Sequence, residues 1–401
     1  MNRSGCSLIL LLSCLLTNTA TAQTSPADDP VESARIQLGP LGITPSGAIN
    51  NIGVDSNVFN DVESPQRDFT FTVSPQVDAW FRAGRSLTSM NGRLDLVYFQ
   101  RFASERSVDG EVDGRVELRG NRITPWLGGG MFTGRQRVGY EIDLRSRRTR
   151  GTLRTGVDLR LTPKSSFVFS VQRVSHDFAG DSFLGVNLRD SLTHLSRSGA
   201  LEYRFAATVY TTLVVNSEIL HERFVLASER NSNSVRLVAG ADFDERALVG
   251  GRVRVGYRRF SGLGAGLPDY SGAIASFVTG FSVADRTEVE FAGDRDIEYS
   301  FERTYPYYVI TGGSVTLTPR LTDVWDIQAR AGGRRLAYRT LVGSGAPDRL
   351  DRHVSFGAGV GYHFGREVRL GFNVDRERRG SPLRARDYTG YRIGTSVTYG
   401  R

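Results

Sequence analysis

The residues that could do chemistry are few and scattered. Five histidines, His176, His194, His221, His353 and His363, show no spacing that would gather ligands around a metal. Asp351 and His353 stand two apart, the interval of an acid–base pair on one face of a strand. A solvated pair near a rim accounts for them without further partners. No Ser/His/Asn set stands out for nucleophilic catalysis. Gly357, Gly359 and Gly361 superficially resemble a nucleotide loop, but they alternate with Ala358 and Val360, so they read as side-chain-free positions on one strand face. Gly262-Leu263-Gly264-Ala265-Gly266 lacks the lysine of a P-loop. Both cysteines, Cys6 and Cys14, lie near the N-terminus, leaving the rest of the chain without thiols. No catalytic residue, metal or cofactor is expected, and the chain does not read as an enzyme.

The residues that do carry a pattern are arginines. The chain of 401 residues has 51 Lys+Arg against 43 Asp+Glu, a net charge of +8, and Lys164 is its only lysine. The basic residues are dispersed and alternate with apolar ones or sit beside acids, which excludes a nucleic-acid face. On one parity lie Arg154 and Arg160, then Arg252, Arg254 and Arg258, then Arg330 and Arg334, then Arg369, and finally Arg392. Glu288, Glu290, Asp294, Asp296 and Glu298 form an acidic stripe of the same kind. Two readings are open. The charges neutralise each other around water, or they make a track for an anionic or saccharide solute held by arginine forks, with Arg254 and Arg330 near mid-height.

What positions these residues is period-two alternation. From Gly47 onward, apolar and polar residues alternate in segments of about ten to fourteen residues, eighteen in all, with sixteen as the nearest competing count. Val354, Phe356, Val360, Phe372, Val374 and Val397 fall on the apolar parity. Every second link is short, such as Ala83-Gly84-Arg85 or Gly365-Arg366. The others are longer and polar, such as 179–190 and 343–352. No run after the first twenty residues is long and apolar enough for a spanning helix. The expected fold is all-β: a closed antiparallel transmembrane barrel with short periplasmic turns, longer extracellular loops and a lumen wide enough for water. Two aromatic girdles are expected. Trp80, Trp126, Trp325, Tyr203, Phe205, Phe243, Phe281, Phe364 and Tyr399 would lie at the short-turn rim. Phe102, Phe224, Phe260, Tyr299, Tyr305, Tyr307, Tyr338 and Tyr388 would lie at the other.

The N-terminus reads as an export signal over residues 1–22. Asn2-Arg3 precedes an apolar run from Leu8 to Leu16, and Ala20-Thr21-Ala22 offers a cleavage site before Gln23. Lipidation at Cys14 is the alternative. Residues 23–45 read as a polar periplasmic leader and 46–401 as the barrel. In the last segment, Gly394, Val397 and Tyr399 have the spacing of the closing-strand signal read by barrel-assembly machinery, although Gly400-Arg401 follow the aromatic residue.

The stretch Leu41–Asp61, with Gly53-Val54-Asp55-Ser56-Asn57-Val58-Phe59, resembles the first-strand D-x-N-V-F element of the Putative beta-barrel porin 2 group of bacterial outer-membrane proteins. The resemblance implies an outer-membrane barrel, surrounded by lipid, with a channel or accessory role in passing hydrophilic solutes or saccharides. Some members are associated with exopolysaccharide production and export. It carries over no catalytic residue. A general diffusion porin is the alternative function, and an enzyme or adhesin on a barrel scaffold a third.

Overall fold

The computed structural model describes residues 29–244, 246–284 and 286–400, so the export-signal reading and Cys14 lie outside the described residues. Eighteen strands form one closed antiparallel ring, each hydrogen-bonded to its neighbours in sequence. They are β1 Leu41–Asp55, β2 Asp68–Ala83, β3 Ser86–Phe99, β4 Ser107–Leu118, β5 Ile123–Arg137 and β6 Arg145–Arg160. Next come β7 Ser165–Phe178, β8 His194–Ala206, β9 Thr211–Phe224, β10 Ser232–Phe243, β11 Val249–Gly262 and β12 Tyr270–Val283. The last six are β13 Thr287–Tyr299, β14 Tyr307–Pro319, β15 Trp325–Arg339, β16 Leu350–Phe364, β17 Val368–Gly380 and β18 Tyr388–Tyr399. Each contains one of the segments expected from period-two alternation.

The ring closes where β1 pairs with β18, so neither strand is left as a sheet edge. A bulge between Ile49 and Ile52 interrupts that seam. Gly394 lies directly opposite Gly53, and a Cβ on Gly394 would meet the Ile52 carbonyl oxygen at 3.1 Å. Val397 pairs with Ile49 and Tyr399 with Gly47, so all three residues of the expected closing-strand signal belong to the closing ladder. The barrel begins earlier than residue 46. Ile36–Leu38 turns back to pair with Leu41–Ile43, and Val31 and Ala34 are buried against Gly42, where a Cβ would strike that of Ala34 at 2.7 Å.

Strand parity sorts the side chains as expected. Val354, Phe356, Val360, Phe372 and Val374 are exposed on the outer wall, and Val397 shares the outward parity of Ile393 and Tyr399. Links at one end are tight, with Gly84 (φ +57°) and Gly365 (φ +65°) in the left-handed conformation that short turns require. Links at the other end are longer and fold over the mouth.

One stretch of wall departs from the ring. Pairing between β12 and β13 stops at Ala275–Arg295, although β12 continues to Tyr270 and β13 to Tyr299. Beyond that point the joined ends of β13 and β14 lean into the barrel. Their back face, Ile297, Tyr307 and Val309, packs on Phe260, Leu267 and Tyr270. The outward Arg295 bridges the seam, donating from Nε to the Ala273 carbonyl at 3.1 Å, which also accepts from the Tyr270 hydroxyl at 3.2 Å, and from Nη1 to Thr311 Oγ1 at 2.7 Å. These bonds tie β12 to β13 and β14 where the ladder itself has ended.

Candidate functional site

Inside the ring the expected arginines are present and nearly all ion-paired. Arg254 grips both oxygens of Asp242 at 2.7 and 2.8 Å, and Arg369 both oxygens of Asp326 at 2.6 and 2.7 Å. Arg330 meets Asp375 at 2.8 Å, Arg258 meets Asp296 at 2.8 Å and Arg392 meets Asp55 at 2.9 Å. Arg154 pairs with Asp113 and Arg334 with Asp294. Asp296 also receives Arg236 at 2.7 Å. Arg252 lines the same cavity. Arg160 has the inward parity but ends β6, exposed at the short-turn rim. Glu288 and Glu290 face inward nearer that rim, opposite Thr318 and Thr316 of β14, while Asp294, Asp296 and Glu298 reach the cavity.

The inward glycines make room for these pairs. Arg154 lies across Gly128, where an added Cβ would meet its Nε at 2.9 Å, and Arg330 lies across Gly357, where it would meet Nε at 2.8 Å. The guanidiniums therefore lie flat on the wall instead of projecting across the bore. Trp126 does the same over Gly156, whose added Cβ would meet its ring at 2.5 Å. Its Nε1 donates to Asp158 at 3.0 Å, and Arg115 stacks on it at 4.3 Å.

The long-loop mouth is closed by a folded cap. The β5–β6 loop, 138–144, crosses from its own strands to those opposite. Tyr140 stacks under Arg334 at 4.5 Å and against His353 at 5.5 Å. Glu141 accepts from Ser300 Oγ at 2.6 Å and from the Phe301 amide at 3.1 Å, at the tip joining β13 to β14. Asp143 accepts from Arg379 at 3.2 Å. Between loop and tip lies an apolar core of Ile142, Phe178, Leu188, Leu192 and Phe301, supplied partly by the short helix Leu188–Leu192 of the β7–β8 loop. Arginines fasten its rim. Arg230 donates to the carbonyls of Ser191 at 2.6 Å, Pro306 at 3.0 Å and Ser300. Arg349 pairs with Asp351 at 2.9 Å and with Glu302. Burial pushes the Glu141 carboxyl up from its ordinary range and brings Arg230 down to about 10.

Below this cap lies a cavity of about 910 Å³ reaching from Tyr140 and Ile142 down to Trp80 and Arg252. Arginines and carboxylates line it in nearly equal number. At the opposite end the links are tight turns, and among the described residues the segment around Val31 and Ala34 folds under the wall there.

Several expectations need correction. Trp80 and Trp126 point inward, so of the three tryptophans only Trp325 stands on the outer wall, edge-on to Tyr362 at 4.9 Å. The second aromatic girdle, expected at the long-loop rim, is not formed by the residues named for it. Phe224, Phe260, Tyr305, Tyr307, Tyr338 and Tyr388 are buried in and beneath the cap, Tyr299 packs with them, and Phe102 packs on Phe59. Most of these residues come from the inward parity or from loops, and Tyr299 and Tyr307 come from the strand ends that leave the wall, so they serve a polar mouth that has its own core. Asp351 and His353 are not solvated: Asp351 is 0% exposed between Arg349 and Arg379, and His353 is buried. The cap residues Tyr140, Glu141, Arg230, Phe301, Arg379 and Arg386 were not singled out in the sequence. Ile142, Leu188 and Phe301, large apolar residues inside polar loops, were the available signal.

The comparisons with known proteins fit this geometry. The family described as Putative beta-barrel porin 2 matches residues 174–401, more than half of the chain. The chain belongs to this porin family. No curated protein matches it. Among solved structures, a BenF-like porin from Pseudomonas fluorescens Pf-5 is 9% identical, with a TM-score of 0.50 over 90% of this chain and 98% of that one. The siderophore receptor PirA from Acinetobacter baumannii is 7% identical, with a TM-score of 0.44 over 89% of this chain and 80% of that one. The ferric enterobactin receptor PfeA (a G324V mutant) from Pseudomonas aeruginosa is 10% identical, with a TM-score of 0.43 over 89% and 80%. At such identities the likeness to the BenF-like porin is one of fold, and this porin-family barrel keeps its own lining and its own cap.

Proposed function

We propose that this barrel is a gated outer-membrane channel for hydrophilic, uncharged or weakly charged solutes, saccharides foremost, with its short turns in the periplasm. The observation that carries the reading is the paired lining. Arg254 with Asp242, Arg330 with Asp375 and Arg258 with Asp296 leave little net charge to select a simple anion. They still present a dense array of fixed donors and acceptors, which suits the hydroxyls of a sugar. This replaces a preference for acidic solutes with one for neutral ones. The cap argues against a permanently open diffusion porin. It makes the periplasmic end the side from which the cavity fills, which agrees with a link to exopolysaccharide export. Surrounding lipid, insertion by barrel-assembly machinery and association with export machinery are part of the same proposal.

Conductance of the full chain in a planar bilayer is the test. Low basal conductance is expected, rising severalfold when cap contacts are cut. Neutral oligosaccharides added on the periplasmic side should block the opened form. Block by charged solutes only, or no conductance in any variant, would overturn the channel reading.

A further inference from the structure

The outer wall carries a second set of arginines with the opposite character. Parity places Arg173, Arg197, Arg259, Arg335, Arg352, Arg376 and Arg378 on the outward face, and all are exposed. Each lies within about five residues of the long-loop end of its strand, roughly headgroup depth at ~3.3 Å per residue. The outward residues just below, such as Val171, Leu201, Val354 and Phe356, are apolar. Unlike their inward counterparts, none of these arginines has a carboxylate partner among the described residues; Arg376 stacks on Tyr391, at 5.7 Å. The outward strand positions of that half hold one exposed acid, Asp177, among the described residues.

Their pairing is informative. Arg173 stands directly opposite Arg197, and Arg335 directly opposite Arg352, with Arg378 on the diagonal beside Arg352. Like charges directly opposed across a ladder are destabilising. Next to hydrocarbon, with less water to screen them, the repulsion grows. Such an arrangement is stable when an anion sits between the guanidiniums, and a planar fork is the group best suited to phosphate.

We infer that the Arg335–Arg352–Arg378 cluster, seconded by Arg173–Arg197, binds the phosphates of a bis-phosphorylated glycolipid of the lipid A type in the leaflet at the long-loop end. Two phosphates on one rigid disaccharide match adjacent forks on neighbouring strands. Phosphatidylglycerol brings a single phosphodiester. The inference rests on the outer-membrane placement proposed above but not on any solute.

The test uses the full chain in phosphatidylcholine nanodiscs, titrated with bis-phosphorylated lipid A and followed by native mass spectrometry. The double variant Arg335→Ala/Arg352→Ala is expected to weaken lipid A binding at least tenfold. Arg335→Lys/Arg352→Lys should fall between, since charge is kept and the fork is lost. On the wild-type barrel, monophosphoryl lipid A should bind severalfold more weakly, and phosphatidylglycerol and inorganic phosphate more weakly still. Those three comparisons decide the matter even where a variant fails to fold. Equal affinity of the Ala variant and wild type, or phosphatidylglycerol or inorganic phosphate binding as tightly as lipid A, overturns the inference. Conductance recorded in parallel should be unchanged in the double variant, so failure of the lipid site and failure of the channel reading are separate results.

Discussion

At the scale of single residues, the lumen lining is a set of ion pairs, and the proposed selectivity would depend on keeping them whole. Arg254 and Arg330 each satisfy an inward aspartate, Asp242 and Asp375. Replacing both arginines with Ser leaves two carboxylates unmatched in a confined pore, where the field of a fixed charge is focused. The expected outcome is a shift of reversal potential towards cations in a salt gradient, with saccharide block weakened. An unchanged reversal potential would mean these pairs do not face the conduction path. Glu141 gives a pH signature. Burial holds its folded-state pKa above the 4.5 of a free glutamate, so its ionised form is disfavoured in the closed cap. In the proposed gate the capped state would therefore bind a proton more readily than an uncapped one, and falling pH would favour the cap through the folded pKa, the gain levelling off below 4.5. Conductance of the wild type is expected to drop on acidification from neutral, and Glu141→Gln, which keeps a hydrogen-bond acceptor, should abolish that slope.

At the scale of elements, the cap is a small domain built from loops that meet only after the barrel closes. Phe301 is 0% exposed at its centre, where the β13–β14 tip meets the Ile142 loop. Phe301→Ala removes a large core side chain and is expected to cost the cap ~3–5 kcal/mol while leaving the ring intact. Hydrogen exchange should then quicken in residues 138–144 and 300–306 but not in β16 or β17. The β12–β13 seam makes a different demand. Arg295→Ala would remove the guanidinium's bonds to the Ala273 carbonyl and to Thr311, leaving the carbonyl with the Tyr270 hydroxyl alone, at a cost of ~1–3 kcal/mol in all. Reduced resistance to urea unfolding in lipid is the expected readout, and Arg295→Lys should recover only part of it.

At the scale of the whole molecule, closure and parity dominate. An arginine at outward Val360 should destabilise the folded barrel by ~2–4 kcal/mol. One at inward Ser355 on the same strand, where the lumen admits water, should cost well under 1 kcal/mol by the ordinary tolerance of exposed sites. Gly359 is a poor control, because an added Cβ would meet the Phe372 carbonyl at 2.8 Å. Equal costs at Val360 and Ser355, from equilibrium folding in lipid, would contradict the assignment of faces.

The sequence by itself determined the ring. Alternation with period two is a local property, read residue by residue, and a closed antiparallel sheet in lipid is the only way to satisfy it without leaving an edge. Strand order, the inward arginines and a count of eighteen or sixteen followed from that, and the closing Gly394 from the spacing of the last segment. The ladders settle the count at eighteen. Parity could also have shown that Trp80, in step with Asp78, and Trp126, in step with Gly128, face inward. What only the tertiary structure decided was everything that joins distant strands. Arg379 of β17 meets Asp143 of the β5–β6 loop, Arg230 meets Pro306, and β13 leaves β12 above Ala275. No local pattern encodes such contacts, because each partner is only a polar or aromatic residue in its own loop or strand end. They become favourable when closure of the barrel brings the loops within reach and lets them bury a common core.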